Sequence, residues 1–325
     1  MTVTIKDIAE LAGVSFSTVS KALRNSPLVQ ETTKRKILEI AEQVGYQPNI
    51  AARKLVSKKS GAFGVVWPSV ERATLSLLMT KINEELEFQG FTTLFSINRM
   101  SSAIEAFHRF QVDAILIFDD RDHSLRNQQR FSTNIPILNY GIAGTTAYPT
   151  IDVNRRQSIG LAVQHLYELG HRQLAYIGSV PNNDVFQEEK AAAFKSQITS
   201  LGISGQVIPI SSMDSHDGYA AAKSLLQQAD RPSAIISGSY DLSRGILRAA
   251  SELGIQVPNQ LSLISYDHIP QMGSLDIPLT VVGVEVSLIA KQIVKSLILL
   301  SDGKEQPPLI NLEPELLIRA STSPL

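Results

Sequence analysis

The chain has 325 residues, more than one core comfortably organises, so a small module joined to one large or bilobed domain is expected. Its net charge is −1, yet residues 1–60 hold ten Lys/Arg against five Asp/Glu and the remainder holds 20 against 26, the pattern of a polyanion-binding head on an acidic body. Cysteine is absent, which excludes a disulfide scaffold, a thiolate nucleophile and a Cys-ligated metal. The opening Met1-Thr-Val-Thr-Ile-Lys-Asp7 is polar, and no uninterrupted apolar run of about 18 residues occurs, so the chain is expected to be soluble and cytoplasmic, without a membrane partner.

Three short helices are expected first. Thr4 can cap a helix from Ile5, with Ile5, Ile8, Ala9 and Ala12 on one face, and Gly13 ends it. Ser15 can cap a second helix, Phe16 to Arg24, whose Val19, Ala22 and Leu23 share a face, before Asn25-Ser26-Pro27 stops it. The third, about Glu31 to Val44, turns Ile37, Ile40, Ala41 and Val44 inward and Lys34, Arg35 and Lys36 outward, and Gly45 closes it.

Two short helices joined by a Gly-containing turn and braced by a third form a helix-turn-helix, whose second helix enters the major groove. Phe16, Ser17 and, one turn on, Lys21 lie opposite Val19 and Leu23. From there Lys21 can donate to guanine and Phe16 can touch a thymine methyl. The same pattern also fits a three-helix module for protein contacts, with Phe16 as ordinary packing. Pro48-Asn-Ile-Ala-Ala-Arg-Lys-Leu55 reads as a further helix, begun by Pro48, with Ala51, Ala52 and Leu55 as a small apolar strip. Lys58 and Lys59 fit either phosphate attraction or a solvated linker face.

Thr4-Ile-Lys-Asp-Ile-Ala-Glu-Leu-Ala-Gly-Val-Ser15, Thr18-Val-Ser-Lys-Ala-Leu-Arg-Asn25 and Gly45-Tyr-Gln-Pro-Asn49-Ile-Ala-Ala-Arg53-Lys-Leu55 resemble the lactose/galactose-repressor (LacI/GalR) family of bacterial regulators. The resemblance implies that Phe16, Ser17 and Lys21 are the main major-groove reading positions, and that Thr18, Asn25 and Tyr46 touch the backbone or nearby edges. It further implies a minor-groove hinge that includes Asn49, Ala52, Arg53 and Leu55. In the family that hinge helix pairs with its two-fold mate on palindromic operator DNA, and the Leu at the position of Leu55 wedges into the minor groove and bends the duplex.

From Gly61 onward apolar runs alternate with helical stretches: 62–67, 92–95, 112–118, 135–138, 174–178, 234–237 and 261–265. This βαβα order requires parallel sheets covered on both faces, and the length suits two of them, with ligands expected beyond the carboxyl ends of the strands. The resemblance continues through Gly170-His171-Arg172, Val257-Pro258, Ser265-Tyr-Asp267 and Pro278-Leu-Thr280. It implies an all-α helix-turn-helix head (1–47), a hinge helix and linker (48–60) and an α/β periplasmic-binding-protein-like domain (61–325). That last domain would have two doubly wound parallel-sheet lobes, a three-strand crossover, an effector cleft and a homodimer contact.

Asp267 matches the family's ligand-binding acid, and a carboxylate there can accept hydrogen bonds from sugar hydroxyls; an Asp capping the next turn is the other reading. Lys190 stands where the family has Arg, Ser239-Tyr240 stands where Asn-Asp is common, and Ser69 is a further effector candidate. Lys lacks the bidentate fork of Arg, so recognition is expected to differ. Tyr240 suits either stacking on a ring or packing on its own lobe.

No nucleophile elbow, phosphate-binding P-loop, dinucleotide glycine fingerprint or zinc-helix motif occurs, so no enzyme, cofactor or metal is expected. The expected function is a DNA-binding repressor controlled by a small sugar or sugar derivative. A corepressor-type or global regulator tuned by another metabolite or a partner protein, and a solute-binding protein, are the alternatives.

Overall fold

The computed structural model describes residues 3–23, 26–46, 59–97, 99–118, 133–142, 147–179 and 184–325. The chain divides into two compact units, Met1–Ser60 and Gly61–Leu325.

In the first unit, α1 spans Ile5–Ala12, α2 Phe16–Ala22 and α3 Glu31–Gln43. The Thr4 backbone N–H and hydroxyl both donate to the Asp7 carboxylate, at 2.7 and 2.8 Å, which fixes the first turn and holds the Asp7 carboxyl below its usual range. Gly13, at φ +70°, adopts the left-handed geometry that ends α1. Ser15 caps α2 by accepting from the Thr18 backbone N–H at 3.2 Å. Ile8, Ala12, Val19, Ala22, Ile37 and Ala41 form one core, and the Lys36 ammonium donates to the Ala12 carbonyl at 3.1 Å, tying α3 to the end of α1. Lys34 departs from the outward position expected of it: only 7% exposed, it lays its aliphatic stem against the module and reaches Glu31 at 3.0 Å.

The second unit begins with β1 (Ala62–Val66), α4 (Ala73–Phe88), β2 (Thr92–Ser96), α5 (Met100–Phe110), β3 (Ala114–Phe118), β4 (Ile137–Tyr140) and β5 (Thr150–Val153). Then follow α6 (Arg155–Glu168), β6 (Gln173–Ser179), α7 (Val185–Leu201), β7 (Ser204–Pro209), α8 (Ser215–Leu226), β8 (Ala234–Ser237), α9 (Tyr240–Glu252), β9 (Ser262–His268) and β10 (Thr280–Glu285). The chain closes with α10 (Val286–Ser301), β11 (Leu309–Leu312) and β12 (Glu315–Leu317).

The strands form two six-stranded sheets, ordered β11-β5-β4-β3-β1-β2 and β12-β10-β9-β8-β6-β7. All pairings are parallel except β10 with β12. Runs such as Ala114-Ile-Leu-Ile-Phe118 are buried along their whole length because helices cover both faces. The sheet orders show that the chain crosses between lobes three times: after β5, after β10 and between β11 and β12. Among the described residues no helix is long and apolar enough to cross a membrane.

Two close contacts shape the second lobe. Helices α8 and α9 meet at Gly218 and Gly245, where a side chain on Gly245 would overlap the Ser215 carbonyl oxygen and the Tyr219 nitrogen. His171, just before β6, places Nδ1 2.8 Å from Ser233 Oγ and Nε2 3.0 Å from Ser262 Oγ and 3.1 Å from the Ser323 carbonyl, so one ring ties the C-terminal tail to the sheet. Burial holds its imidazole below the ordinary pKa.

Gly245→Ala is expected to lower stability by about 1–3 kcal/mol through overpacking, read as a drop in thermal midpoint; an unchanged midpoint would show that the helices have room to part. Because His171 is neutral in the fold, the unfolded chain takes up the proton first on acidification. Stability is therefore full above the ordinary histidine value and falls as pH drops through it. His171→Leu should cost about 1–3 kcal/mol at neutral pH and flatten that acid limb in a melting series; a variant with the wild-type slope would assign the limb to other groups.

Candidate nucleic-acid interface and effector cleft

In the head, α2 buries Val19 and Ala22 and leaves Phe16, Ser17 and Lys21 exposed, Phe16 at 54%. An apolar ring, a hydroxyl and an ammonium therefore share the outer side of one short helix. The Ser15 hydroxyl lies 2.9 Å from both Ser17 Oγ and Thr18 Oγ1, so the cap also orients the hydroxyls at the leading turn. Thr18 is half-buried, and Tyr46 packs against the head core. Asn25 and the hinge positions Asn49, Ala52, Arg53 and Leu55 lie outside the described residues.

The placement of charge is informative. Residues 3–46, leaving out Arg24, carry Lys6, Lys21, Lys34, Arg35 and Lys36 against Asp7, Glu10, Glu31, Glu39 and Glu42, a balanced set. The basic excess of the first sixty residues thus resides in Arg24, Arg53, Lys54, Lys58 and Lys59.

The cleft is built at the carboxyl ends of the strands. At the end of β9, Asp267 adopts φ +96°, a rare backbone geometry for a residue with a side chain. Its Oδ2 accepts the Tyr240 backbone N–H at 2.9 Å from the start of α9, in its own lobe. The same oxygen accepts the Thr74 hydroxyl at 2.8 Å from α4, in the other lobe. A parallel contact joins the Ala73 backbone N–H to Asp241 Oδ2 at 3.3 Å, and burial pushes the Asp241 carboxyl up.

Lys190 on α7 is only 3% exposed. Its ammonium donates to the Gly238 carbonyl at 3.0 Å and sits 3.6 Å from the centroid of the Tyr266 ring. Burial lowers its pKa to about 7, with the nearby Asp267 charge opposing that shift. Burial likewise pushes the Tyr266 phenol up to about 12. A buried aromatic cluster joins the lobes: the centroid of Phe118 lies 5.0 Å from that of Trp67, 5.3 Å from Tyr140 and 5.7 Å from Phe186, which belongs to the second lobe. Arg155, at the first crossing between lobes, pairs with Asp152 at 2.5 Å and Glu189 at 3.5 Å and lies 4.2 Å from the centroid of the Phe186 ring.

Of the effector candidates, Asp267, Tyr240 and Lys190 are brought together. Ser239 is buried, and its hydroxyl caps α9 by accepting from the Leu242 backbone N–H at 3.3 Å, so its side chain serves the helix. The Ser69 hydroxyl accepts from the Glu71 backbone N–H at 3.1 Å, a local turn contact. Thr74, Asp241, Arg155 and the aromatic cluster were not singled out from sequence. Thr74 carries no pattern of its own and meets Asp267 across 193 positions.

A model of the lacI family of bacterial regulatory proteins matches residues 4–49, and a periplasmic binding protein-like domain matches residues 163–322. Catabolite control protein A of Priestia megaterium is 28% identical over 299 residues, 87% of this chain and 90% of that protein. The HTH-type transcriptional repressor PurR of Actinobacillus pleuropneumoniae is 27% identical over 331 residues, 98% of each chain. The crystal structure of the lac repressor dimer bound to operator and the anti-inducer ONPF has the same fold, with a TM-score of 0.83 at 24% identity over 99% of this chain and 100% of that one. These relatives are regulators rather than enzymes. With a lacI-type head, a periplasmic-binding-protein-like body and relatives matched over nearly their full length, the chain belongs to the lacI family of DNA-binding transcriptional regulators.

Proposed function

We propose that the protein is a cytoplasmic repressor that binds a palindromic operator as a homodimer and responds to a small sugar or sugar derivative in the cleft of its second unit. The observation that carries this reading is the Asp267 carboxylate, which takes one donor from each lobe at 2.9 and 2.8 Å. A ligand hydroxyl that claims Asp267 competes with Thr74, so occupancy of the cleft and the setting of the lobes are linked. Control then needs a ligand whose affinity differs between the DNA-competent and incompetent states.

The working division is 1–47 for operator reading, 48–60 for the hinge and linker, and 61–325 for effector binding and dimerisation. Phe16, Ser17 and Lys21 read base edges, and Thr18, Asn25 and Tyr46 touch the backbone or nearby edges. Asn49, Ala52 and Arg53 face the minor groove around the Leu55 wedge. The exposed outer side of α2 supports the first assignment. The two-fold form is supported by the operator-bound dimer of the lac repressor and by the weak binding expected of one small head.

Operators selected from random DNA provide the test. Lys21→Ala should lose about 1–3 kcal/mol on the selected site and little on scrambled DNA, while Leu55→Ala should weaken binding and reduce the measured bend. Affinity for the selected site should also fall steeply with salt. Equal losses on both DNAs for Lys21→Ala would remove it from base reading, and an unchanged bend for Leu55→Ala would remove the wedge.

A further inference from the structure

The cleft is unevenly supplied with hydrogen-bonding groups. Each carboxylate around it has donors. Asp267 has Thr74 and Tyr240, and Asp241 has the Ala73 backbone N–H. Asp184 accepts the Phe186 and Gln187 backbone N–H groups at 3.0 and 3.2 Å, and Asp152 and Glu189 share the Arg155 guanidinium.

The donors are not matched in this way. Lys190 is almost fully buried, yet its ammonium meets one oxygen, that of Gly238, and one aromatic face. The Arg72 Nε–H and the Trp67 Nε1–H are buried with no acceptor among the described residues. Buried donors without acceptors are rare because each forfeits its hydration. The three are linked in space. Trp67 packs on Phe118 and Phe118 on Phe186; Phe186 and Lys190 lie one turn apart on α7, and the Arg72 charge acts on Lys190.

We infer that the effector is an acidic sugar or sugar derivative, carrying one carboxylate or phosphate whose oxygens seat against Lys190 and Arg72 while Trp67 donates to a further ligand oxygen. The inference rests on the cleft reading above and specifies its ligand class. A neutral sugar would bring no oxyanion to an ammonium whose hydrogen bond goes to the Gly238 carbonyl, with the Asp267 and Asp184 charges acting on it without a direct ion pair among the described residues. Lysine, moreover, presents a point charge suited to a single anionic group, where arginine would offer a fork for paired acceptors. The charged and titratable groups facing Lys190 are Asp267 and Tyr266 on β9, Asp184 at the start of α7, Arg155 on α6 and Arg72 before α4. With a lysine pKa near 7 in that setting, uptake of a carboxylate is accompanied by retention of the lysine proton.

Trp67 is the only tryptophan in the chain, so its emission reports on the buried aromatic cluster that joins the lobes. Full-length protein is titrated with galacturonate, glucuronate and glucose 6-phosphate, and in parallel with galactose and glucose. The acids should bind about ten-fold or more tightly than their neutral parents. Uronate affinity should fall from about pH 6 to about pH 8, and Lys190→Arg should abolish that pH dependence while keeping the preference for acids. Lys190→Met should lose the preference; the wild-type comparison and the pH series decide the matter even if that variant fails to fold. Neutral sugars binding as tightly as the acids, or no response to any acid, overturns the inference. The cleft reading falls separately, only if no compound of either class changes Trp67 emission or operator affinity.

Discussion

One carboxylate oxygen, Oδ2 of Asp267, accepts a hydrogen bond from each lobe of the large domain. It takes the Tyr240 N–H within its own lobe and the Thr74 hydroxyl across the cleft, and the strained φ of +96° is what aims it at both. A hydrogen bond to a charged acceptor is worth about 1.5–3 kcal/mol, enough to bias the setting of two lobes and small enough for a ligand to replace. Asp241 repeats the arrangement at the first turn of α4. Acidic side chains therefore answer the amino-terminal ends of two helices, Asp267 that of α9 in its own lobe and Asp241 that of α4 across the lobes.

Each lobe is a mostly parallel sheet with a close-packed apolar core, and at the first crossing Arg155 ties Asp152 at the end of β5 to Glu189 on α7. Close-packed cores switch between discrete arrangements more readily than they bend. The aromatic contact from Trp67 through Phe118 to Phe186 spans both lobes, so a group entering there meets surfaces from each.

How much of this was legible from sequence depended on the range of the signal. In the head, Thr4, Gly13 and Ser15 mark helix ends through contacts within a few residues, and α1 and α2 begin where Thr4 and Ser15 place them, whereas α3 starts after Gln30 without a side-chain cap. Lys34 misled because its charge hides a stem long enough to pack beneath its own ion pair. In the large domain most of the strongly apolar strands were visible, but β10, with Val281, Val282 and Val284 buried, was not among the expected runs. β5 carries Thr150 and Asp152, β7 begins Ser204-Gly205, and β11 and β12 are short edge strands, so none showed a run of apolar residues. In the cleft, Asp267 was identified by its neighbours in the chain, but Thr74 and the unmatched donors Arg72 and Trp67 exist only in three dimensions. At Ser239, an effector candidate from the sequence, the structure adds a role that the resemblance did not imply, the cap of α9.

On the function proposed above, cleft occupancy and operator binding share one equilibrium. The most direct measurement determines operator affinity with and without a saturating cleft ligand, and ligand affinity by Trp67 emission with and without operator. The account predicts that both affinities change by the same factor, as linkage requires. A ligand that saturates the cleft while operator affinity stays constant would contradict it.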